Sequence, residues 1–126
     1  MIKESSIKEV RQLTGITDHA LRYYEKAGLL KDIRRRSGGQ RYYSEQDIEW
    51  IKIILLLRGT GMPIQKILIL AGLKDRGAAS LEDRIAYFTA YCEELQAQID
   101  TRQAAIVTIQ AKVALHKQML LVRDKK

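Results

Sequence analysis

The chain has 126 residues, 46% of them hydrophobic, a single cysteine and a formal net charge of +7 at pH 7. That length holds one or two small folding units, and a core this small must be helical or shared with a second chain. The lone cysteine excludes an intrachain disulfide and suits a reducing compartment, the charge favours a polyanionic partner, and no stretch has the layout of a secretory signal.

The longest apolar run, Ile53 to Leu57, is too short to cross a bilayer, so a soluble cytoplasmic protein without membrane partners is expected. Glycine and proline punctuate the rest legibly. Ser6-x-x-Glu9 is a capping-box pattern ahead of Ile7, Val10, Leu13 and Ile16, which predicts a first helix ending near Gly15. Thr17 then caps a second helix running to about Ala27, with Gly28 as its stop. Two helices separated by a short glycine-containing turn form the helix-turn-helix layout. In the second helix Leu21 and Tyr24 share the face that packs on the first, leaving Asp18, His19, Arg22, Tyr23 and Lys26 outward.

Residues 30–43 read as a β-hairpin turning at Ser37-Gly38-Gly39, with tyrosines on the return strand. Ser44-x-x-Asp47 opens a third helix over 44–58. Gly59-Thr60-Gly61 breaks it, and Pro63 starts a short fourth helix over 63–71, with Gly72 and Gly77 bracketing a connector. Both helices carry more apolar residues than one face holds and should bury two sides.

Charge concentrates at the junction of the second helix and the hairpin. From Arg22 to Arg41 there are seven basic residues (Arg22, Lys26, Lys31, Arg34, Arg35, Arg36, Arg41) against two acidic ones (Glu25, Asp32). Tyr23, Tyr24, Tyr42 and Tyr43 are interleaved with them. Arginine and lysine neutralise phosphates, and tyrosine hydroxyls donate to phosphate oxygens from a stiff ring. A basic cluster alone is usually a solvated surface; a basic helix followed at once by a basic hairpin points to nucleic acid.

The final segment is a long helix. A four-three spacing from Leu81 picks out Ile85, Phe88, Cys92, Leu95, Ile99, Arg102, Ile106, Ile109, Val113, His116 and Leu120. Only Arg102 and His116 break the apolar character of this seam. A seam so narrow and so long marks a coiled coil over about residues 80–122, roughly 60 Å of rod at 1.5 Å per residue. No second rod exists in the sequence, so a second copy is the expected partner, with Leu81 to Val113 as the dimer interface. Arg102 near the middle would fix register and pair with an acid of the other copy, the alternative being that it snorkels to water.

At this point the sequence resembles the MerR family of bacterial transcription regulators along nearly its whole length. The residues carrying the resemblance are Ile7-Lys8-Glu9-Val10, Gly15-Ile16-Thr17, Leu21-Arg22-Tyr23-Tyr24-Glu25, Gly28-Leu29, Gly39-Gln40-Arg41-Tyr42-Tyr43, Asp47-Ile48, Leu57-Arg58 and Gly61, with the long helix behind. The resemblance implies a mainly α protein: a winged helix-turn-helix domain over 1–74, then an antiparallel coiled-coil dimer. It implies a homodimer on near-palindromic operator DNA that bends and underwinds the promoter, reaching RNA polymerase only indirectly through that DNA. Carried over by position, the DNA contacts are Thr17, His19, Arg22, Tyr23 and Lys26 on the second helix. On the wing they are Arg34, Arg36, Arg41 and Tyr42, while Arg35 is expected to neutralise phosphate generally. Gln40 stands where the family often has an aromatic residue.

The signal is less legible. Metal-sensing members carry paired cysteines near the end of the long helix, and nothing after Leu95 is a cysteine, so no metal or cofactor is expected. Multidrug-sensing members append an effector domain, and the sequence ends six residues beyond Leu120, so a short form is expected. The LLLRGTGMP stretch resembles the aldehyde- and thiol-stress branch, but Leu56 occupies the place of its cysteine. Cys92 sits on the seam beside acidic Glu93 and Glu94, where a thiol behaves as a small hydrophobe. A small-molecule effector remains open, and no catalytic set of side chains is apparent. The competing reading is a coiled-coil interaction protein whose basic head grips structured RNA or an acidic protein.

Overall fold

The computed structural model describes residues 4–125. It begins with a two-residue strand, β1 (Ser5–Ser6), that leads directly into helix α1 (Ile7–Thr14). Ser6 caps that helix reciprocally: the Glu9 amide donates to its hydroxyl at 3.2 Å, and its own amide donates to the Glu9 carboxylate at 3.2 Å. Gly15 ends the helix at φ 76°, a left-handed conformation that glycine adopts without a Cβ penalty, and its amide closes on the Arg11 carbonyl at 2.8 Å.

Thr17 caps helix α2 (Asp18–Lys26) by accepting the Ala20 amide at 3.0 Å. Val10, Ile16, Leu21 and Tyr24 are buried, so Tyr24 belongs to the core. Strands β2 (Arg34–Arg35) and β3 (Arg41–Tyr43) form the wing, with Gly39 at φ 83° in its turn. The sheet has three strands in the order β1-β3-β2, all antiparallel. The hairpin was legible and β1 was not. Two serines carry no strand signal, and they pair as strand only because Tyr42 and Tyr43 lie opposite.

Helix α3 (Glu45–Gly59) starts on a second capping box, with the Asp47 amide 3.1 Å from the Ser44 hydroxyl and the Ser44 amide 2.9 Å from the Asp47 carboxylate. Helix α4 (Ile64–Asp75) follows Pro63. It outruns the expected end at residue 71, and Gly72 lies inside it rather than in a connector. One glycine costs a helix about 1 kcal/mol, which buried Ile67, Leu70 and Ala71 offset by packing. A 3-10 turn (Gly77–Ser80) closes this unit, where the Ser80 hydroxyl lies against the carbonyls of Leu73 and Gly77. Ile51, Ile54 and Ile67 are fully buried in its core, while Leu56 and Ile69 stay exposed.

The chain divides into two compact units after Ser80. The second is a single helix, α5 (Leu81–Asp124), 44 residues long with no buried side chain. Leu81, Ile85, Phe88, Ile99, Ile106, Ile109, Val113 and Leu120 are all exposed on it, as is the free thiol of Cys92. By length and composition alone α5 would pass as a bilayer span, with a window of mean hydropathy 1.2. Its polar residues argue otherwise, because Gln98, Gln103, Gln110, Lys112, Lys117 and Gln118 recur along it, whereas a spanning helix is apolar all round.

Candidate nucleic-acid interface

The second helix of the helix-turn-helix presents one polar face because Leu21 and Tyr24 turn the other inward. Thr17 spends its hydroxyl oxygen as the cap acceptor, which anchors the start of α2. His19, Arg22, Tyr23 and Lys26 are exposed. Arg22 reaches back one turn to Asp18, with Nη2 3.2 Å from Oδ2, yet its side chain is 67% exposed. An i,i+4 pair this open is worth only tenths of a kcal/mol, so it steers the guanidinium without consuming it. Tyr23 lies 5.8 Å from the Tyr24 ring at a tilt of 57°, so a buried aromatic backs the exposed one.

The wing is a tight hairpin. The Gly39 amide donates to the Arg36 carbonyl and the Arg36 amide to the Gln40 carbonyl, each at 2.8 Å. Arg34 stands opposite Tyr42, and Arg35 opposite Arg41. The Arg36 guanidinium lies over the Tyr42 ring at 5.3 Å, with Nη2 3.6 Å from the Glu4 carboxylate. Arg34 and Arg36 are exposed at the wing, and Tyr42 is half-buried beneath Arg36.

Arg41 sits differently from the other eight residues expected to meet DNA. Its side chain is only 16% exposed, with Nε 2.9 Å from Oε2 of Glu25 on α2. That nitrogen has no well-aligned hydrogen bond, so the contact is chiefly coulombic. Arg35 meets the other oxygen of the same carboxylate, Nη2 to Oε1 at 3.3 Å. Sequence reasoning missed Glu25 because it lies ten and sixteen positions before its partners, beyond any local pattern. It also passed over Lys8 and Arg11 on α1, which with Gln12, Gly15, Ile16 and Thr17 line a shallow cavity of about 390 Å³ beside the helix-turn-helix turn.

Below the wing, Tyr43 is 1% exposed, and burial pushes its phenol pKa above the ordinary value against the lowering pull of Arg41. Among the described residues, no three histidine, cysteine, aspartate or glutamate side chains gather in a way that would hold a metal ion.

The arrangement has solved counterparts. Residues 5–71 match the family described as MerR HTH family regulatory protein. The chain is 35% identical over 79 residues to the HTH-type transcriptional regulator AdhR of Bacillus subtilis (strain 168), a match covering 63% of this chain and 56% of AdhR. It therefore spans little more than half of that relative. Among solved structures it is similar to HiNmlR, a MerR family regulator lacking the sensor domain, bound to promoter DNA. That likeness has a TM-score of 0.72 at 25% identity and covers 82% of this chain and 79% of the other. A transcriptional regulator of the MerR family from Bacillus thuringiensis superposes with a TM-score of 0.73 at 28% identity, covering 90% of this chain and 98% of that one.

Proposed function

The chain belongs to the MerR family of helix-turn-helix regulatory proteins, and from that premise we propose that it regulates transcription by binding operator DNA as a homodimer. The carrying observation is that α2 and the wing each present exposed cations from one folded unit, linked through Glu25. Arg22, Tyr23, His19 and Lys26 reach base edges and flanking phosphates from the major groove, with Thr17 at the start of the helix. Arg34, Arg36 and Tyr42 hold the backbone beside it.

A second copy pairs along α5, whose seam from Leu81 to Val113, with Cys92 and Arg102 exposed and Leu95 half-buried, otherwise leaves a long apolar stripe in water. If the seam centres near residue 100, the two Cys92 thiols lie roughly 24 Å apart along an antiparallel rod, beyond disulfide reach. Two heads on one rod suit a near-palindromic site, and distorting that site costs on the order of 1–6 kcal/mol, offset by added contacts. RNA polymerase is reached through the reshaped promoter, in the cytoplasm, and we assign the chain no enzymatic activity. A small-molecule effector belongs to this reading as an open partner.

The test is a mobility-shift titration of the purified chain on the duplex upstream of its own gene and on random duplex at fixed salt. A preference of at least about a thousandfold for one near-palindromic segment supports the reading. Equal binding to both duplexes overturns it in favour of a basic head that grips polyanions at large.

A further inference from the structure

On the wing, Arg35 and Arg41 stand directly opposite each other on β2 and β3. Like charges so placed repel and would splay a hairpin this short. Both instead converge on one carboxylate of α2, Arg35 on Oε1 of Glu25 and Arg41 on Oε2. Glu25 is 26% exposed, Arg41 16% and Arg35 49%, so the Arg41 arm is screened less by solvent and is the stronger of the two. Strand β3 packs on β1, α1 and α3; its charged link to α2 runs through Glu25. One side chain thereby ties both wing strands to the reading helix.

We propose that Glu25 is a positioning residue that fixes the wing against α2 and withholds Arg35 and Arg41 from DNA phosphates. The inference rests on the DNA-binding reading above and deepens it. A free Arg35 and Arg41 would add two phosphate contacts that any duplex supplies, raising affinity without discrimination. Held by Glu25, they set the spacing between helix and wing, and duplexes are then sorted by whether their shape fits it.

The experiment uses the full chain and measures binding to operator and random duplex across a salt series. In Glu25→Gln the random duplex should bind more tightly, and its log–log salt slope should steepen by about one to two, near 0.9 per phosphate gained. The operator-to-random ratio should fall about tenfold, within the range that separates specific from non-specific binding. Glu49→Gln is the charge control, since Glu49 is 73% exposed on α3 and pairs only with Lys52 among the ion pairs found. It changes net charge equally and should leave the ratio as it was. Glu25→Asp, which keeps the charge, should recover part of the discrimination.

Equal effects of Glu25→Gln and Glu49→Gln would overturn the proposal, because bulk charge would then explain both. Should Glu25→Gln fail to fold by circular dichroism, the double variant Arg35→Gln/Arg41→Gln decides. A salt slope on random duplex like that of the wild type supports withheld arginines. A slope shallower by about two shows them on phosphate already and ends the idea. If the wild-type chain itself shows no operator preference, the functional reading fails instead.

Discussion

The indole nitrogen of Trp50, on α3, donates to the backbone carbonyl of Leu29 at 2.7 Å. Trp50 is 8% exposed and Leu29 2%, so no water competes freely for that carbonyl. Lys74 of α4 closes over the ring, its ammonium 5.2 Å from the centroid. The segment leaving the reading helix is thereby pinned to the helix that follows the wing. Trp50→Phe keeps a ring and removes the donor, stranding a buried acceptor. We expect a loss of about 1–3 kcal/mol in stability, read as a lower urea midpoint by circular dichroism at fixed protein concentration. An unchanged midpoint would mean that the carbonyl finds another donor.

Arg22 is the exposed cation at the middle of the reading helix, steered by Asp18. Arg22→Ala should lower operator affinity by about 1–3 kcal/mol and blur preference at one base position per half-site, with random-duplex binding falling far less. Competition against a panel of single-base operator variants checks this. An equal loss on every duplex would demote Arg22 to a phosphate contact.

Ile99 is 57% exposed on a single chain, at the proposed middle of the seam. Ile99→Asp would bury an unpaired carboxylate in each half of the rod, at a cost of about 3 kcal/mol or more per site. The sedimentation profile at micromolar concentration should shift from dimer to single chain. A profile that stays dimeric contradicts the assigned seam.

Tyr43 gives the chain an alkaline weak point. Its folded-state pKa is raised by burial, so the folded chain holds a proton that the unfolded chain releases near pH 10. The stability tied to that proton is complete below about pH 10 and is lost as pH rises through the folded value, by at most about 1.4 kcal/mol per unit. Tyr43→Phe cannot ionise, so its urea midpoints should fall less than those of the wild type between pH 10 and 11. Parallel curves would exclude Tyr43 as the source.

Much of the first unit was readable because its signals are local. Ser6 and Ser44 each sit three residues before an acid, and both close as reciprocal caps. Thr17, Gly15 and Gly39 fall where a cap, a left-handed helix end and a turn demand them. The spacing of Val10, Leu21 and Tyr24 foretold which faces are buried, since 3.6 residues per turn maps sequence onto surface directly. The long helix was legible for the same reason.

What the sequence left undecided depends on which distant residues come together. Nothing near Ser5 says strand; Tyr43 opposite it does. Arg41 reads as one more wing cation until folding sets it 2.9 Å from a glutamate sixteen positions earlier. Helix α4 runs through Gly72 because Ile67, Leu70 and Ala71 are buried around it. Local propensity is a matter of tenths of a kcal/mol to about one per residue, and burial or charge pairing across the fold is as large or larger. The amino-acid order by itself therefore set the helices, the hairpin and their polar faces, while tertiary contact added β1, carried α4 through Gly72 and decided which of those charges remain free.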